Sequence, residues 1–247
     1  MSTIYILWLR QIKRSFRSPA RIIGSLGQPI LFLVAFGFGF GHIYQKAGGG
    51  DYIQFLAPGV ISMSILFTAM FSGIEIIWDK QFGFLKETLV APVPRFHIMV
   101  GRTLGGASVA MFQGVVVFFI SLLVGFRPDY GLLPLALVFM ALIGLFFTAI
   151  GTALATLIDD MQAFPLIMNF LIMPLFFLSG ALFPLTGIPK ALAVITRLNP
   201  LSYGIDGLRG ALAHGALFSS LTDFSVLALL TCVTVASGAY LFSKIQI

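Results

Sequence analysis

The residues that could perform chemistry are few and scattered. Asp159 and Asp160 are adjacent carboxylates, a pairing that acid–base or metal chemistry can use, but they lie between two long apolar runs, where a solvated turn between helices explains them more simply. Three histidines fall in different loops or at the ends of different apolar runs: His42, His97 and His214. The single cysteine, Cys232, excludes a disulfide framework and a cysteine-based zinc cluster. We therefore expect no catalytic or metal site.

Motifs for nucleotide and lipid chemistry are incomplete. A phosphate-binding loop needs a lysine that directly follows a glycine, and no lysine of this sequence does. The run from Asp206 to Gly210 resembles the start of a phosphatidyltransferase motif, but no further aspartate follows before Asp223 to complete a two-metal site. The sequence thus predicts a chain that is not an enzyme and holds no cofactor of its own.

The composition identifies the environment that must position these residues. The 247 residues are 58% hydrophobic and 10% charged, with a mean hydropathy of +1.01, whereas soluble domains carry about 25% charged residues. This excludes a soluble globular protein, a disordered chain and a nucleic-acid-binding module. The net charge of +6 then indicates topology signals at a membrane surface rather than a nucleic-acid partner.

Six uncharged runs are long enough to cross a bilayer as helices of about 20 residues. They are apolar on all sides, which favours helices over the alternating strands of a barrel. The fold class predicted is all-α: a polytopic membrane protein with six transmembrane helices. The predicted spans are approximately 22–41, 53–77, 99–125, 132–158, 162–183 and 224–243.

The basic residues predict the orientation of the spans. If the N-terminus is cytoplasmic, ten of the 15 Lys and Arg residues lie in cytoplasmic segments and five in outer segments. We therefore expect both termini in the cytoplasm and the protein in the inner membrane. Residues 1–21 alternate aromatic and aliphatic residues with arginine and lysine, which predicts an amphipathic helix in the inner headgroup layer. A basic topology anchor is a compatible reading of the same residues.

Residues 184–223 are too polar and too rich in proline and glycine to form a span. Helical character at 188–198 and 202–213 is interrupted by Asn199-Pro200, because a residue before proline avoids the helical conformation. We expect an outer re-entrant helical hairpin between spans five and six. No charge falls in the middle of a predicted span, and Glu75 comes nearest. Ion-coupled carriers usually keep an ionisable residue there, although Na⁺ bound by backbone carbonyls would leave no such mark.

Two stretches resemble the ABC-2 type membrane subunit of ATP-binding cassette exporters. Residues Trp78 to Arg95, WDKQFGFLKETLVAPVPR, are similar to the family's loop reFGflKElLvaPvsR. Residues Asn199 to Arg209, NPLSYGIDGLR, are similar to its segment NPlsyavdalR. Within the family the chain resembles most the drug-resistance and lipo-oligosaccharide exporter branch.

The resemblance implies a partner: two copies of a separate ATPase, which holds ATP and Mg, bound to a homodimer of this chain. Residues 79–95 would form a coupling loop. Its ATPase-contacting residues would be Phe82, Gly83, Phe84, Leu85, Lys86 and Glu87. An anchoring role for the two phenylalanines in the headgroup layer is the simpler reading of those residues alone.

The same resemblance implies a translocation path, and the apolar character of that path favours a hydrophobic or amphiphilic substrate: a drug, a lipid or a lipid-linked glycan. Ions such as Na⁺ or a copper-site precursor are the alternative substrates. The residues expected at the outer gate are Asn199, Pro200, Tyr203, Asp206 and Arg209. For Tyr203, Asp206 and Arg209, local capping and loop packing are the competing explanation. The residues suggested for the path lining are Phe67, Phe71, Asn169 and Met173. Rival functions are an ion-coupled secondary transporter or channel without an ATPase, and an intramembrane enzyme acting on lipid.

Overall fold

The computed structural model describes residues 3–46, 50–84, 93–185 and 187–243, and all regular structure in these ranges is helical. The helices are α1 Thr3–Phe16, α2 Pro19–Lys46, α3 Tyr52–Phe71, α4 Ile74–Gln81, α5 Arg95–Val124, α6 Leu133–Leu157, α7 Ala163–Phe177, α8 Lys190–Leu198, α9 Pro200–Ala213 and α10 Ser220–Ser243. A short 3₁₀ turn, Tyr130–Leu132, precedes α6.

Five helical stretches are long and apolar enough to cross a membrane, which confirms a helical, multi-pass architecture. They are Pro19–Lys46, Tyr52–Gln81, Arg95–Val124, Tyr130–Leu157 and Ser220–Phe242. The second of these combines α3 and α4, so the helix extends past the predicted end at residue 77 and includes Asp79 and Lys80.

The predicted fifth span, 162–183, is not one long helix. Helix α7 has 15 residues, which at 1.5 Å per residue spans about 22 Å, short of the roughly 30 Å of hydrocarbon. It ends at Phe177, and Gly180 follows in a left-handed conformation with φ of 79°, which turns the chain away from the helix axis. Five of the six predicted spans thus correspond to long apolar helices, whereas the predicted fifth span corresponds to the short apolar helix α7.

The predicted helix over residues 1–21 is divided. Helix α1 ends at Phe16 and α2 begins at Pro19. Ser18 precedes this proline and is therefore biased away from the helical conformation, while Pro19 itself suits a first helical turn. As a result, Arg21 belongs to α2 rather than to the N-terminal amphipathic helix.

Helix α1 packs against the helix bundle and also exposes side chains at its outer face. It packs along α5 at Gly101 and Gly105, where an added Cβ would lie 2.9 Å from Leu7 Cβ and 2.5 Å from Gln11 Cβ, respectively. The Trp8 indole N–H donates to Ser108 Oγ at 3.0 Å. Its exposed apolar side chains, including Tyr5 and Phe16, remain available to lipid.

The core is built around α3. In the most hydropathic part of Tyr52–Gln81, 78% of residues are buried, against 17% for both Pro19–Lys46 and Ser220–Phe242. Helix α3 contacts α2, α5, α6 and α9, and just beyond its end a Cβ on Gly73 would overlap the Gly151 carbonyl of α6. The tightly held α3–α4 pair therefore leads directly to the predicted coupling loop.

Candidate functional site

Residues 79–81 of the predicted coupling loop belong to helix α4, and two exposed aromatic side chains follow them. Phe82 caps the end of α4 and is 68% exposed, and Phe84 is 51% exposed. Gly83 between them has φ of 80°, a left-handed conformation that glycine adopts without strain, so the chain turns sharply as α4 ends. Leu85, Lys86 and Glu87 lie outside the described residues.

Two buried carboxylates lie on one face of α4, about one and two helical turns before this exposed end. Glu75 and Asp79 are four residues apart and both are 3% exposed. Arg21 Nη1 donates to Glu75 Oε1 at 3.2 Å, and Arg10 Nη2 donates to Asp79 Oδ1 at 3.1 Å. The buried Arg102 Nη2 donates to Asp79 Oδ2.

Arg14 completes this arrangement by facing both acids. Its Nη1 lies 3.7 Å from Glu75 Oε2 and 3.7 Å from Asp79 Oδ1, and its guanidinium sits 5.2 Å from the centre of the Trp78 ring. We call the following residues the α4 ion cluster: Glu75, Asp79, Arg10, Arg14, Arg21 and Arg102.

The α4 ion cluster ties four elements together. Its arginines come from α1, α2 and α5, and both acids come from α4. A buried carboxylate is strongly unfavourable unless it is paired and hydrogen-bonded, so these contacts fix the position of α4 relative to the other three helices. The cluster therefore joins α4 to α1, α2 and α5 through direct ionic contacts.

The sequence indicated Glu75 as the charge nearest the middle of a span but did not reveal the cluster. The available signal was the spacing of Glu75 and Asp79, which places both on one helix face and requires nearby cations once that face is buried.

Lys80 connects α4 to the end of α6. Its Nζ donates to the Thr156 carbonyl at 2.7 Å and the Ile158 carbonyl at 3.3 Å, and it pairs with Asp159 at 2.9 Å. A lysine is favourable there because the last carbonyls of a helix lack helical partners. Asp159 and Asp160 lie in the turn between α6 and α7, and within the described ranges no group of three His, Cys, Asp or Glu could hold a metal.

Two of the predicted gate residues make local contacts in the α8–α9 hairpin, with Pro200 at the first turn of α9. The Asn199 side chain accepts from Leu201 N–H, capping α9, and donates to the Leu175 carbonyl at 2.6 Å. The Tyr203 hydroxyl donates to the Arg197 carbonyl at 2.8 Å. These two contacts fix the shape of the hairpin, and the Asn199 contact also holds it against α7.

Asp206 and Arg209, the two charged residues of the predicted gate, are buried inside the protein. The Asp206 carboxylate accepts from the Leu217 and Phe218 amides at 2.7–2.9 Å. Arg209 donates to the Gly180 carbonyl at 2.9 Å, and its guanidinium carbon lies 3.9 Å from the centre of the Phe55 ring. Burial lowers the pKa of Arg209 to about 10, which leaves it protonated at neutral pH. Together the two residues hold the hairpin against α3, the turn after α7 and the segment that precedes α10.

The suggested path residues separate into two pairs. Phe67 and Phe71 stack on α3 and line a cavity of about 230 Å³ between α2, α3 and α5. Asn169 and Met173 are exposed on α7 and do not line this cavity.

A further acid, Asp223 on α10, is fully buried, and neither of its oxygens has a hydrogen-bond partner. A single acid near the start of an apolar helix gave no sequence signal of this burial.

Comparison with known proteins decides the family. Residues 2–213 match the family model described as ABC-2 type transporter. The chain belongs to the ABC-2 type transporter family.

Curated relatives of this ABC-2 chain are named as permeases or by a nodulation role. It is 30% identical over 226 residues to the putative transport permease ycf38 of Cyanophora paradoxa, covering 88% of this chain and 77% of the relative. It is 30% identical over 210 residues to the inner membrane transport permease YadH of Escherichia coli, covering 82% and 80%. It is 29% identical over 209 residues to nodulation protein J of Rhizobium leguminosarum bv. viciae, again covering 82% and 80%. The chain is a membrane transport subunit.

Proposed function

We propose that this chain is the membrane-spanning subunit of an ATP-driven exporter and works as a homodimer with two copies of a separate ATPase, which holds ATP and Mg²⁺. The α4 ion cluster is the observation that carries the proposal. Helix α4 ends at the exposed Phe82, and its buried acids connect it to α1, α2 and α5. A force applied at Phe82 is thereby distributed to three further helices.

The docking contact begins with Phe82 and Phe84. Exposed aromatic side chains on a tight turn suit insertion into a groove of a partner protein, since each buries a large apolar area at a small entropic cost. Leu85, Lys86 and Glu87 extend this contact in the proposal, with the two charged residues forming pairs with the ATPase.

The proposed topology has six crossings and both termini in the cytoplasm. Helix α7 and the turn that follows it form the fifth crossing, with the shorter helix accommodated by protein around its end, where the Arg209 guanidinium binds the Gly180 carbonyl. The α8–α9 hairpin then lies at the outer face. With Cys232 replaced by serine, a cysteine introduced by Lys190→Cys should react with an impermeant reagent in intact cells. Reaction only after lysis would reverse the topology.

The substrate class in this proposal is hydrophobic or amphiphilic. Phe67 and Phe71 contribute an aromatic wall to a cavity among α2, α3 and α5, and the locked hairpin forms a stiff frame near the exit. Closure of the ATPase pair would move α4, and the cluster would carry this movement to the helices around the path.

The decisive experiment is co-purification with the ATPase encoded beside this chain, followed by ATP hydrolysis in proteoliposomes. The double variant Phe82→Ala/Phe84→Ala should lose the ATPase partner and its stimulation by the membrane subunit. Phe119→Ala is the matched control, because Phe119 is 60% exposed on α5 and lies far along the chain from α4. If the double variant binds the ATPase as well as this control does, the docking assignment is wrong.

An ion-coupled carrier remains the second candidate because of one observation. Asp223 is a fully buried, unpartnered acid within the helix Ser220–Phe242. A carrier of this type would accumulate substrate in proteoliposomes under a proton gradient without ATP, and Asp223→Asn would abolish that accumulation. Transport that requires ATP and survives Asp223→Asn would exclude the carrier.

A further inference from the structure

A cavity of about 230 Å³ lies beside the junction of α1 and α2, bounded by α2, α3 and α5. Its mouth follows one face of α2, where Arg21, Ser25 and Gln28 are exposed at spacings of four and three residues. Apolar side chains form most of the interior, including the buried Met63 and the stacked pair Phe67 and Phe71. The cavity is therefore amphiphilic, with a polar rim on α2 and an apolar interior on α3.

Two buried polar groups line this cavity without a hydrogen-bond partner. They are Ser64 Oγ on α3 and Gln113 Nε2 on α5, and each residue is 3% exposed. Ser62, two residues earlier on α3, donates instead to the carbonyl of Pro58 at 2.9 Å. Because buried donors are normally satisfied in native proteins, an unpartnered amide and hydroxyl in one cavity indicate that a ligand group completes them.

Arg21 is the one charged residue among those lining the cavity. A single nitrogen, Nη1, bonds Glu75, and the guanidinium has five N–H donors in all. The N–H donors of Arg21 that do not bond Glu75 can bind an anionic group at the mouth of the cavity. No carboxylate lines the cavity among the described residues, and the Glu75 carboxylate that pairs with Arg21 is 3% exposed.

The size of the cavity limits what enters it. Its volume corresponds to about eight water molecules, below the roughly 300 Å³ at which pockets for drug-sized ligands begin. Part of an amphiphile therefore fits inside, while the rest of the molecule lies along α2 in the lipid.

We propose that this cavity binds an anionic amphiphile, with its anionic group at Arg21, a carbonyl or hydroxyl oxygen at Gln113 Nε2 and Ser64 Oγ, and an acyl segment against Phe67 and Phe71. The inference rests on the proposed function only for placing this ligand in the cytoplasmic leaflet. The same chemistry belongs to a transported amphiphile and to a resident membrane lipid.

The test uses the full chain in phosphatidylcholine nanodiscs that contain a minor fraction of phosphatidylglycerol with a photoreactive acyl chain. After illumination, labelled peptides from α3 and α5 are quantified by mass spectrometry. A photoreactive phosphatidylcholine is the comparison probe. The cavity peptides should be labelled preferentially by the anionic probe, and Arg21→Gln should remove that preference.

Gln113→Leu should lower labelling of the cavity about fivefold, the change expected from the loss of one hydrogen bond. It should also raise the melting temperature in detergent without lipid, because it removes an unpartnered buried amide. Thr148→Val is the matched control, since Thr148 Oγ1 is likewise buried and unpartnered but does not line the cavity. It should leave labelling unchanged. Ser64→Ala provides a second, smaller substitution in case Gln113→Leu reduces expression.

Equal labelling by both probes that is insensitive to Gln113→Leu and Ser64→Ala would overturn the proposal. A second pair of results would also overturn the proposal. If Gly24→Cys forms a disulfide between two copies, and the cavity is protected from both probes, a second copy covers the mouth. The labelling requires no ATPase, so failure to bind an ATPase would refute the proposed function and leave this site standing. With the ATPase present, loss of labelling during ATP turnover identifies a transported amphiphile, and persistent labelling identifies a resident lipid.

Discussion

Replacing Asp79 by asparagine removes the central charge of the α4 ion cluster while keeping the shape of the side chain. Its partners differ in their access to solvent: the side chain of Arg10 is 42% exposed, whereas that of Arg102 is 7% exposed. Arg10 can be solvated after the substitution. Arg102 remains a buried cation without its carboxylate, a situation that costs about 3–5 kcal/mol.

For a chain of this length the corresponding decrease in melting temperature is about 6–20 °C, taking roughly 2–4 °C per kcal/mol from soluble domains. Thermal unfolding in detergent micelles, followed by tryptophan fluorescence, measures this decrease directly. Trp78 reports from within the cluster, because the Arg14 guanidinium lies 5.2 Å from its ring.

The matched control is Arg10→Gln, which removes an exposed partner of the same carboxylate and should cost no more than about 1 kcal/mol. In the double variant Asp79→Asn/Arg102→Met, the stranded cation is gone, and much of the stability should return. If Asp79→Asn destabilises no more than Arg10→Gln, or if the double variant is less stable than Asp79→Asn alone, the reasoning about the buried pair is refuted.

Three further substitutions test other contacts by the same thermal assay. Gly105→Ala should destabilise by about 1–3 kcal/mol, because its Cβ would lie 2.5 Å from Gln11 Cβ. Gly41→Ala is the control, because a Cβ at Gly41 would have no neighbour within 4 Å, and it should be neutral or stabilising. Equal losses of stability in the two variants would contradict close packing of α1 on α5. Arg209→Met should destabilise by about 1.5–3 kcal/mol, because the charged hydrogen bond to the Gly180 carbonyl is lost. An unchanged melting temperature would show that Arg209 does not stabilise the hairpin. Lys80→Met should destabilise by about 0.5–2 kcal/mol, because Lys80 loses its contacts with the last carbonyls of α6. Lys190→Met is the control, and an equal effect of the two substitutions would show that these contacts do not stabilise the protein.

The hydrophobic periodicity and the length of the uncharged runs predicted the helices well wherever composition alone determines that a segment is helical. The long uncharged runs gave the five long apolar helices, and Asn199-Pro200 correctly divided the two helices of the hairpin. The boundaries were wrong where local conformation decides: Pro19 starts a new helix at the N-terminus, and Gly180 turns the chain soon after α7 has ended.

The site was harder to predict because its contacts join distant parts of the chain. Arg21 and Glu75 are 54 residues apart, and Arg10 and Asp79 are 69 apart, so no local pattern connects them. An apolar helix also carries no amphipathic signal to show which face is buried, which is why Phe67 and Phe71 could not be separated from Asn169 and Met173.

The order of the α4 ion cluster along the chain has a consequence for membrane insertion. Arg10, Arg14 and Arg21 leave the ribosome well before Glu75 and Asp79 have been synthesised. During insertion of the first helix they are unpaired cations, and in the proposed topology they act at full strength in retaining the N-terminus on the cytoplasmic side. Only when α4 arrives are the same guanidinium groups neutralised, so residues that first direct the orientation of the chain later become its internal framework.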